Sequence, residues 1–257
     1  MKSAYVLGAM ITAGFVAAAP AAAQDFEWSG RIAAGDMIEI KGVNGDIRAR
    51  PGSGPEVRVT ATTSGRDRDE LTFEVVEHSG GITICAVYPE SREDQPNRCA
   101  PGHEGRMNTD DVRAQADFEI EVPDGVRFVG RTVNGDVVAR ELSADAQVST
   151  VNGSVEVATL GWARAGTVNG DVTVRVGRAD WDGTAEFSTV NGDITITLPT
   201  DVSAEVEAST VNGDFRSDFP LTVRGRFGPR KIAGTIGSGG RKLKLNTVNG
   251  SISLNGS

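Results

Sequence analysis

The stretch Thr132–Val137 reads TVNGDV, and near copies follow as STVNGSV, GTVNGDV, STVNGDI, STVNGDF and NTVNGSI, with a relative, GVNGDI, at Gly42–Ile47. The repeated turn pairs are Asn44 and Gly45, Asn134 and Gly135, Asn152 and Gly153, Asn169 and Gly170, Asn191 and Gly192, Asn212 and Gly213, and Asn249 and Gly250. From Val133 onward the Val-Asn-Gly triplets are spaced by 18, 17, 22, 21 and 37 residues. The last interval is about two units, and IAGTIGSGG, from Ile232, reads as a degenerate copy within it. A period near 20 points to stacked units, each too small to bury its own apolar face.

The flanks of each turn alternate. Val172, Val174 and Val176 share one parity, as do Ile194, Ile196 and Leu198, while Thr173, Arg175 and Thr195 take the other. This is the pattern of half-buried strands. It breaks at the turn, where Val190 and Val248 are apolar on the opposite parity, as a sharp bend requires.

Two architectures can use that bend. As a type I′ hairpin, Asn-Gly would fold Phe187 against Ile196 and Thr189 against Ile194. As the corner of a coil, it would stack like residues over like, so that Thr and Asn form ladders along a β-solenoid. Conserving the corner while the intervening length drifts favours the coil. The expected fold is therefore all-β: a single-stranded β-helix-like solenoid of about 20-residue TVNGD repeats with an irregular N-terminal β cap. Its expected divisions are a signal peptide at 1–23, an N-terminal β region at 24–127 with a polar loop at 89–116, and a repeat region at 128–257.

The leader has an early Lys2, an apolar run and an A-A-A ending, the marks of a cleaved secretory signal peptide. No later segment is apolar enough to span a bilayer as a helix. An exported chain meets an oxidising compartment, where Cys85 and Cys99, the only cysteines, can pair. The alternative use of Cys99 is a metal site with His103, which lacks two further ligands at recognisable spacing.

The formal charge is −9, and loss of Lys2 with the leader makes it −10. From Phe219 to Ser257 there is no acid but seven cations, Arg224, Arg226, Arg230, Lys231, Arg241, Lys242 and Lys244. They form either a solvated basic end or a patch for an anionic partner, such as a phosphate-bearing glycolipid or the acidic body of a second copy. The export signal and the acidic total argue against nucleic acid.

Chemistry-bearing motifs are few. His78 and His103 are the only histidines, and neither a nucleophile elbow nor a zinc-protease helix occurs. The residue after each Asn-Gly offers one metal candidate: Asp171, Asp193 and Asp214, stacked about 5 Å apart, would repel by about 1 kcal/mol per neighbouring pair even in water, and Ca²⁺ would relieve that. The alternative is that each Asp or Ser bonds the turn backbone. No cofactor is implied.

The order of leader, GVNGDI strand, DFEIEVPDGV segment and repeated TVNGDV, STVNGDI and NTVNGSISL resembles the bacterial putative-adhesin domain family of unknown function. That resemblance implies a β-helical exported domain of a Gram-negative envelope, periplasmic or secreted, and supplies no catalytic residues. The expected function is a non-enzymatic adhesin or structural binding module. Its partner would be envelope glycan, glycolipid or protein, with self-association open to it. The alternatives are a β-helix enzyme acting on acidic polysaccharide and an envelope-stress sensor.

Overall fold

A computed structural model describes residues 26–89, 96–107, 109, 112–178, 180–181, 183–223 and 231–257. The leader at 1–23, part of the polar loop, and Arg224, Arg226 and Arg230 lie outside the described residues.

The chain is all-β, and its strands form two long facing sheets of a solenoid-like domain. The first sheet runs in space through Phe26–Gly30, Val57–Gly65, Ala114–Val122, Ile47–Pro51, Val137–Leu142, Val155–Thr159, Val172–Val176, Ile194–Leu198, Ile252–Gly256 and Phe215–Ser217. The second runs through Thr222–Val223, Lys231–Ile236, Ala204–Ser209, Arg241–Asn246, Thr184–Ser188, Ala163–Gly166, Ala146–Ser149, Arg127–Arg131, Met37–Lys41, Gly81–Val87 and Thr72–His78. Strands on either side of an Asn-Gly corner do not pair with each other. Ala146–Ser149 pairs in parallel with Arg127–Arg131 and Ala163–Gly166, while Val155–Thr159 pairs in parallel with Val137–Leu142 and Val172–Val176. The hairpin alternative is thereby excluded at these corners.

Register is unshifted where apolar residues face inward. Val155, Val172, Ile194 and Ile252 lie in one row, and Val157, Val174, Ile196 and Leu254 in the next. All eight are essentially buried. A one-residue slip would turn each row to solvent, so burial holds the register. The opposite sheet supplies smaller residues, Ala146, Ala163 and Ala165, interspersed with Phe128 and Phe187, which suits a narrow interior.

The uneven repeat length is absorbed outside these rows. The 18-residue interval from Asn134 to Asn152 exceeds the next by one residue, and the register shifts beside Glu141. Glu141 is the one non-glycine with positive φ (56°) among the described residues, a local distortion of the kind a bulge produces. The 21-residue interval places its extra residues in the turn around Pro199–Ser203, and the 22-residue interval is longer between Val172–Val176 and Thr184–Ser188.

Two findings differ from the sequence expectation. IAGTIGSGG is not a further coil: Lys231–Ile236 lies antiparallel on Ala204–Ser209 and covers the end of the second sheet. The final coil instead inserts between two earlier ones, with Asn249 bridging both Asn191 and Asn212. Charge favours this order. Lys242 stands opposite Glu205, and Lys244 stands between Glu186 and Glu207, with its Nζ 3.0 Å from Glu186 Oε1. Stacked directly, Glu186 and Glu207 would face each other, which is destabilising on neighbouring strands.

The N-terminal strands belong to the same two sheets. Met37–Lys41 and Ile47–Pro51 form the rung below the Asn134 corner, and the antiparallel strands Val57–Gly65 and Phe26–Gly30 then close that end of the first sheet. Antiparallel strands also close both ends of the second sheet, leaving parallel pairing to the middle.

Candidate binding site

Four kinds of bond recur along the corner column, and they use every letter of TVNGD except the valine. The Thr hydroxyl turns inward and donates to carbonyls of the preceding rung, as Thr150 Oγ1 does to Gly135 O at 2.9 Å. The Asn amides form a continuous ladder: Asn134 donates to Asn44, Asn152 to Asn134, Asn169 to Asn152, Asn191 to Asn169, Asn249 to Asn191 and Asn212 to Asn249, each at 2.7–2.8 Å. The Gly N–H donates to the Asn carbonyl of the next rung, as from Gly153 to Asn169 at 2.9 Å. Only glycine fits there, because a Cβ on Gly153 would lie 2.1 Å from Gly135 O, at a φ of 152°.

The fifth letter is structural too. Asp136 Oδ1 accepts the Ser154 N–H, Ser154 Oγ accepts that of Asp171, Asp171 Oδ1 that of Asp193, Asp193 Oδ1 that of Ser251, and Ser251 Oγ that of Asp214. Ser251 therefore separates Asp214 from Asp193, so the expected row of three carboxylates is broken. Asp171 and Asp193 each commit one oxygen to the backbone of the next rung. Among the described residues no group of three or more His, Cys, Asp or Glu is placed to hold a metal ion.

The valine of each corner faces outward. Val133, Val151, Val168, Val190, Val248 and Val211 are 36–43% exposed and follow one another rung by rung beside the Asn ladder. Neighbouring rungs are about 4.8 Å apart, so the side chains form a continuous apolar ridge. The parity break at Val190 and Val248 was the sequence signal for it.

The basic C-terminal stretch is partly consumed within the fold. Of its described cations, Lys244 is ion-paired with Glu186, and Lys242 runs alongside Glu205. Lys231 and Arg241, the other described cations of the stretch, are exposed.

A different cationic feature lies at the other end, where the disulfide loop crosses the outer face of the second sheet. Cys85, on Gly81–Val87, is bonded to Cys99, and the bridge packs with Val87, Val76 and Met107 in a small cluster outside the main core. Commitment to the disulfide removes Cys99 as a metal ligand. The loop also covers Glu39, which is only 1% exposed and fully engaged: Arg131 Nε donates to Oε1 at 2.9 Å, and Thr83 Oγ1 and the Gly102 N–H donate to Oε2 at 2.9 and 2.8 Å. A buried carboxylate needs such partners. His78 belongs to the same network. Its Nδ1 accepts the Gly80 N–H, so Nε2 carries the proton and donates to Thr83 Oγ1 at 3.2 Å.

Beside this network is a hollow of about 240 Å³, bounded by Lys41, Arg98, Arg106, Arg131, His103, Glu104 and the Val43 and Val133 corners. Lys41 Nζ donates to Ala100 O and Glu104 O, which pins the loop. Burial holds the Lys41 ammonium below the ordinary lysine range; Arg131 pushes the same way, and Glu39 and Glu104 oppose it. Sequence reasoning missed this convergence because its members lie in separate segments, joined by sheet register and a disulfide.

The comparisons bear on the whole chain. Two solved structures align over 90% of it. One is described as "a putative cell adhesion protein" from Clostridium sporogenes, with a TM-score of 0.46, 10% identity and 99% of that chain covered. The other is described as "a putative adhesin" from Bacteroides fragilis, with a TM-score of 0.37, 13% identity and 96% of that chain covered. No curated protein matches. The family model described as Toastrack DUF4097 matches residues 38–255, from the strand that carries Glu39 to the one that ends the final coil, and the chain accordingly belongs to the Toastrack DUF4097 family.

Proposed function

We propose that this chain is an exported, non-enzymatic binding module of a bacterial envelope, an adhesin or structural element that engages an extended partner along its corner column. The observation that carries this reading is the ridge of six half-exposed valines beside an unbroken ladder of Asn amides. A continuous apolar stripe with regularly spaced polar groups suits a linear polymer or a flat surface better than a compact ligand. The leader sequence supports export. Among the described residues no helix is long and apolar enough to cross a membrane.

The test is a binding screen of the mature chain against glycans and envelope extract, repeated with Val151, Val168 and Val190 all changed to Asp. These side chains are 37–38% exposed and lie outside the core, so the fold should survive. Binding lost by the triple variant supports the ridge; binding unchanged by it refutes the ridge as the contact surface.

A further inference from the structure

Asn is followed by Gly at each of the seven corners and once more at Asn255-Gly256. Such a pair is chemically labile, because a residue without Cβ leaves its nitrogen unhindered for attack on the preceding side-chain amide. The corners share one sequence but not one environment, so the fold decides which of them reacts.

Six corner glycines have their N–H engaged. Gly45 donates to Asn134 O, Gly135 to Asn152 O, Gly153 to Asn169 O, Gly170 to Asn191 O, Gly192 to Asn249 O and Gly250 to Asn212 O, each at 2.8–2.9 Å. Gly213 ends the column, and among the described residues its N–H has no acceptor. It is also the one exposed corner glycine; the others are buried or half-buried. The side chains follow the same division. Asn169 is held at both atoms, its Nδ2 donating to Asn152 and its Oδ1 accepting from Asn191. Asn212 is held by one bond, from its Nδ2 to Asn249 Oδ1 at 2.7 Å, and among the described residues its Oδ1 has no donor. The opposite end of the column is closed, since Asn44 Nδ2 donates to Ala114 O and its Oδ1 accepts from Asn134. Outside the corners, the Gly256 N–H donates to Asp218 Oδ2 at 3.3 Å within a strand paired to Leu198.

We propose that Asn212 is the site at which this protein spontaneously deamidates, and that stacking shields the other corners. The Gly213 nitrogen, having given its proton to hydroxide, bonds to Asn212 Cγ. The Cγ–Nδ2 bond then breaks, and the amide leaves as ammonia with a proton taken from water, closing a five-membered succinimide. A water molecule opens that ring at either carbonyl, giving aspartate or isoaspartate at position 212. In balance, one water is consumed and one ammonia released. At an inner rung the same attack first requires the glycine N–H bond and both side-chain bonds to break, a local opening of neighbouring rungs. Asn212 has one bond to break, and the two fewer correspond to a rate at least about tenfold higher. The product places a carboxylate beside Asp214 and leaves the ladder from Asn249 to Asn44 intact. The proposal concerns the end of the column and stands whatever the valine ridge contacts.

The test incubates the folded chain, its disulfide intact, in mildly alkaline buffer, and a second sample in the same buffer with urea. Both are digested at acidic pH, and conversion at every Asn-Gly pair is quantified by fragment-ion mass spectrometry, with aspartate and isoaspartate forms separated by chromatography. In the folded chain Asn212 should convert at least about tenfold faster than Asn134, Asn152, Asn169, Asn191 and Asn249, with Asn255 in between. In urea the corner rates should converge, because every corner then has the same following glycine and no partner. Asn212→Gln, whose longer side chain closes a ring less readily, should remove most of the ammonia released by the folded chain. Equal corner rates in the folded chain, a lead by an inner corner or by Asn255, a lead of Asn212 that persists unchanged in urea, or undiminished ammonia release from the variant would each overturn the proposal.

Discussion

Lys244→Glu is the most informative single change, because it attacks the placement of the final coil. In the folded chain Lys244 lies 3.0 Å from Glu186 and opposite Glu207 on the other neighbouring strand. Both members of the ion pair are about 40–45% exposed, so losing it costs under about 1 kcal/mol. Reversal adds two carboxylate contacts at about 5 Å, each repulsive by about 0.8 kcal/mol at the dielectric of water. The sum, roughly 2–3 kcal/mol, corresponds to a melting temperature lower by about 5–10 °C in a domain of this size. Thermal unfolding followed by circular dichroism at low salt measures it. Salt near 1 M, where the screening length is about 3 Å, should recover most of the loss. Adding Glu207→Lys should recover roughly half, since one flank regains an opposite charge. An unchanged melting temperature, or no coupling between positions 244 and 207, would refute the insertion of Arg241–Asn246 between Thr184–Ser188 and Ala204–Ser209.

The remaining expectations concern corner, loop and surface. A Cβ on Gly170 would lie 2.1 Å from Gly153 O, so Gly170→Ala should destabilise by about 3 kcal/mol or more, while Gly54→Ala, with nothing within 4 Å, should change stability by less than about 0.5 kcal/mol in urea titrations. Reducing Cys85–Cys99, 14 residues apart, should cost about 3 kcal/mol by chain entropy, read as a lower melting temperature in reductant; equal values would mean that the loop's other contacts suffice. A hydrogen bond from Arg140 holds the Glu156 carboxyl below its usual range, against some desolvation. The pair's stabilising contribution is therefore present above the ordinary Glu pKa and lost as pH falls through the lowered one. Arg140→Ala should raise the Glu156 midpoint toward the ordinary value in an NMR titration.

What could be read from the sequence was whatever repeats. Alternation in VTVRV and ITITL marked the buried rows, and the parity break at each corner valine marked the bend. The order of the rungs was hidden because near-identical corners do not say which neighbour they stack on. Asn249 can cap Asn191 as well as Asn212 can, and the choice is favoured by the outward charges Lys242 and Lys244 against Glu186, Glu205 and Glu207. Those acids and bases were visible, but their pairing depends on a fold in which the last strand inserts out of turn. The same limit hid the hollow. Lys41 and Arg131 meet through parallel pairing across 90 residues, and Arg98 and Arg106 reach them on a loop tied down at Cys99. The cysteine pair was the usable clue, since a bridge closing a polar loop over a sheet must cover whatever lies beneath. Asp171, Asp193 and Asp214 do not stand on consecutive rungs, because Ser251 lies between the last two.

The most direct measurement is of contacts among the side-chain amides of the Asn column in solution. Nuclear Overhauser effects should connect Asn249 with both Asn191 and Asn212, continue down the ladder from Asn191 to Asn169, and be absent between Asn191 and Asn212. A direct Asn191–Asn212 contact would contradict the inserted final coil. Amides that contact only their own flanking strands would contradict the stacked corners altogether.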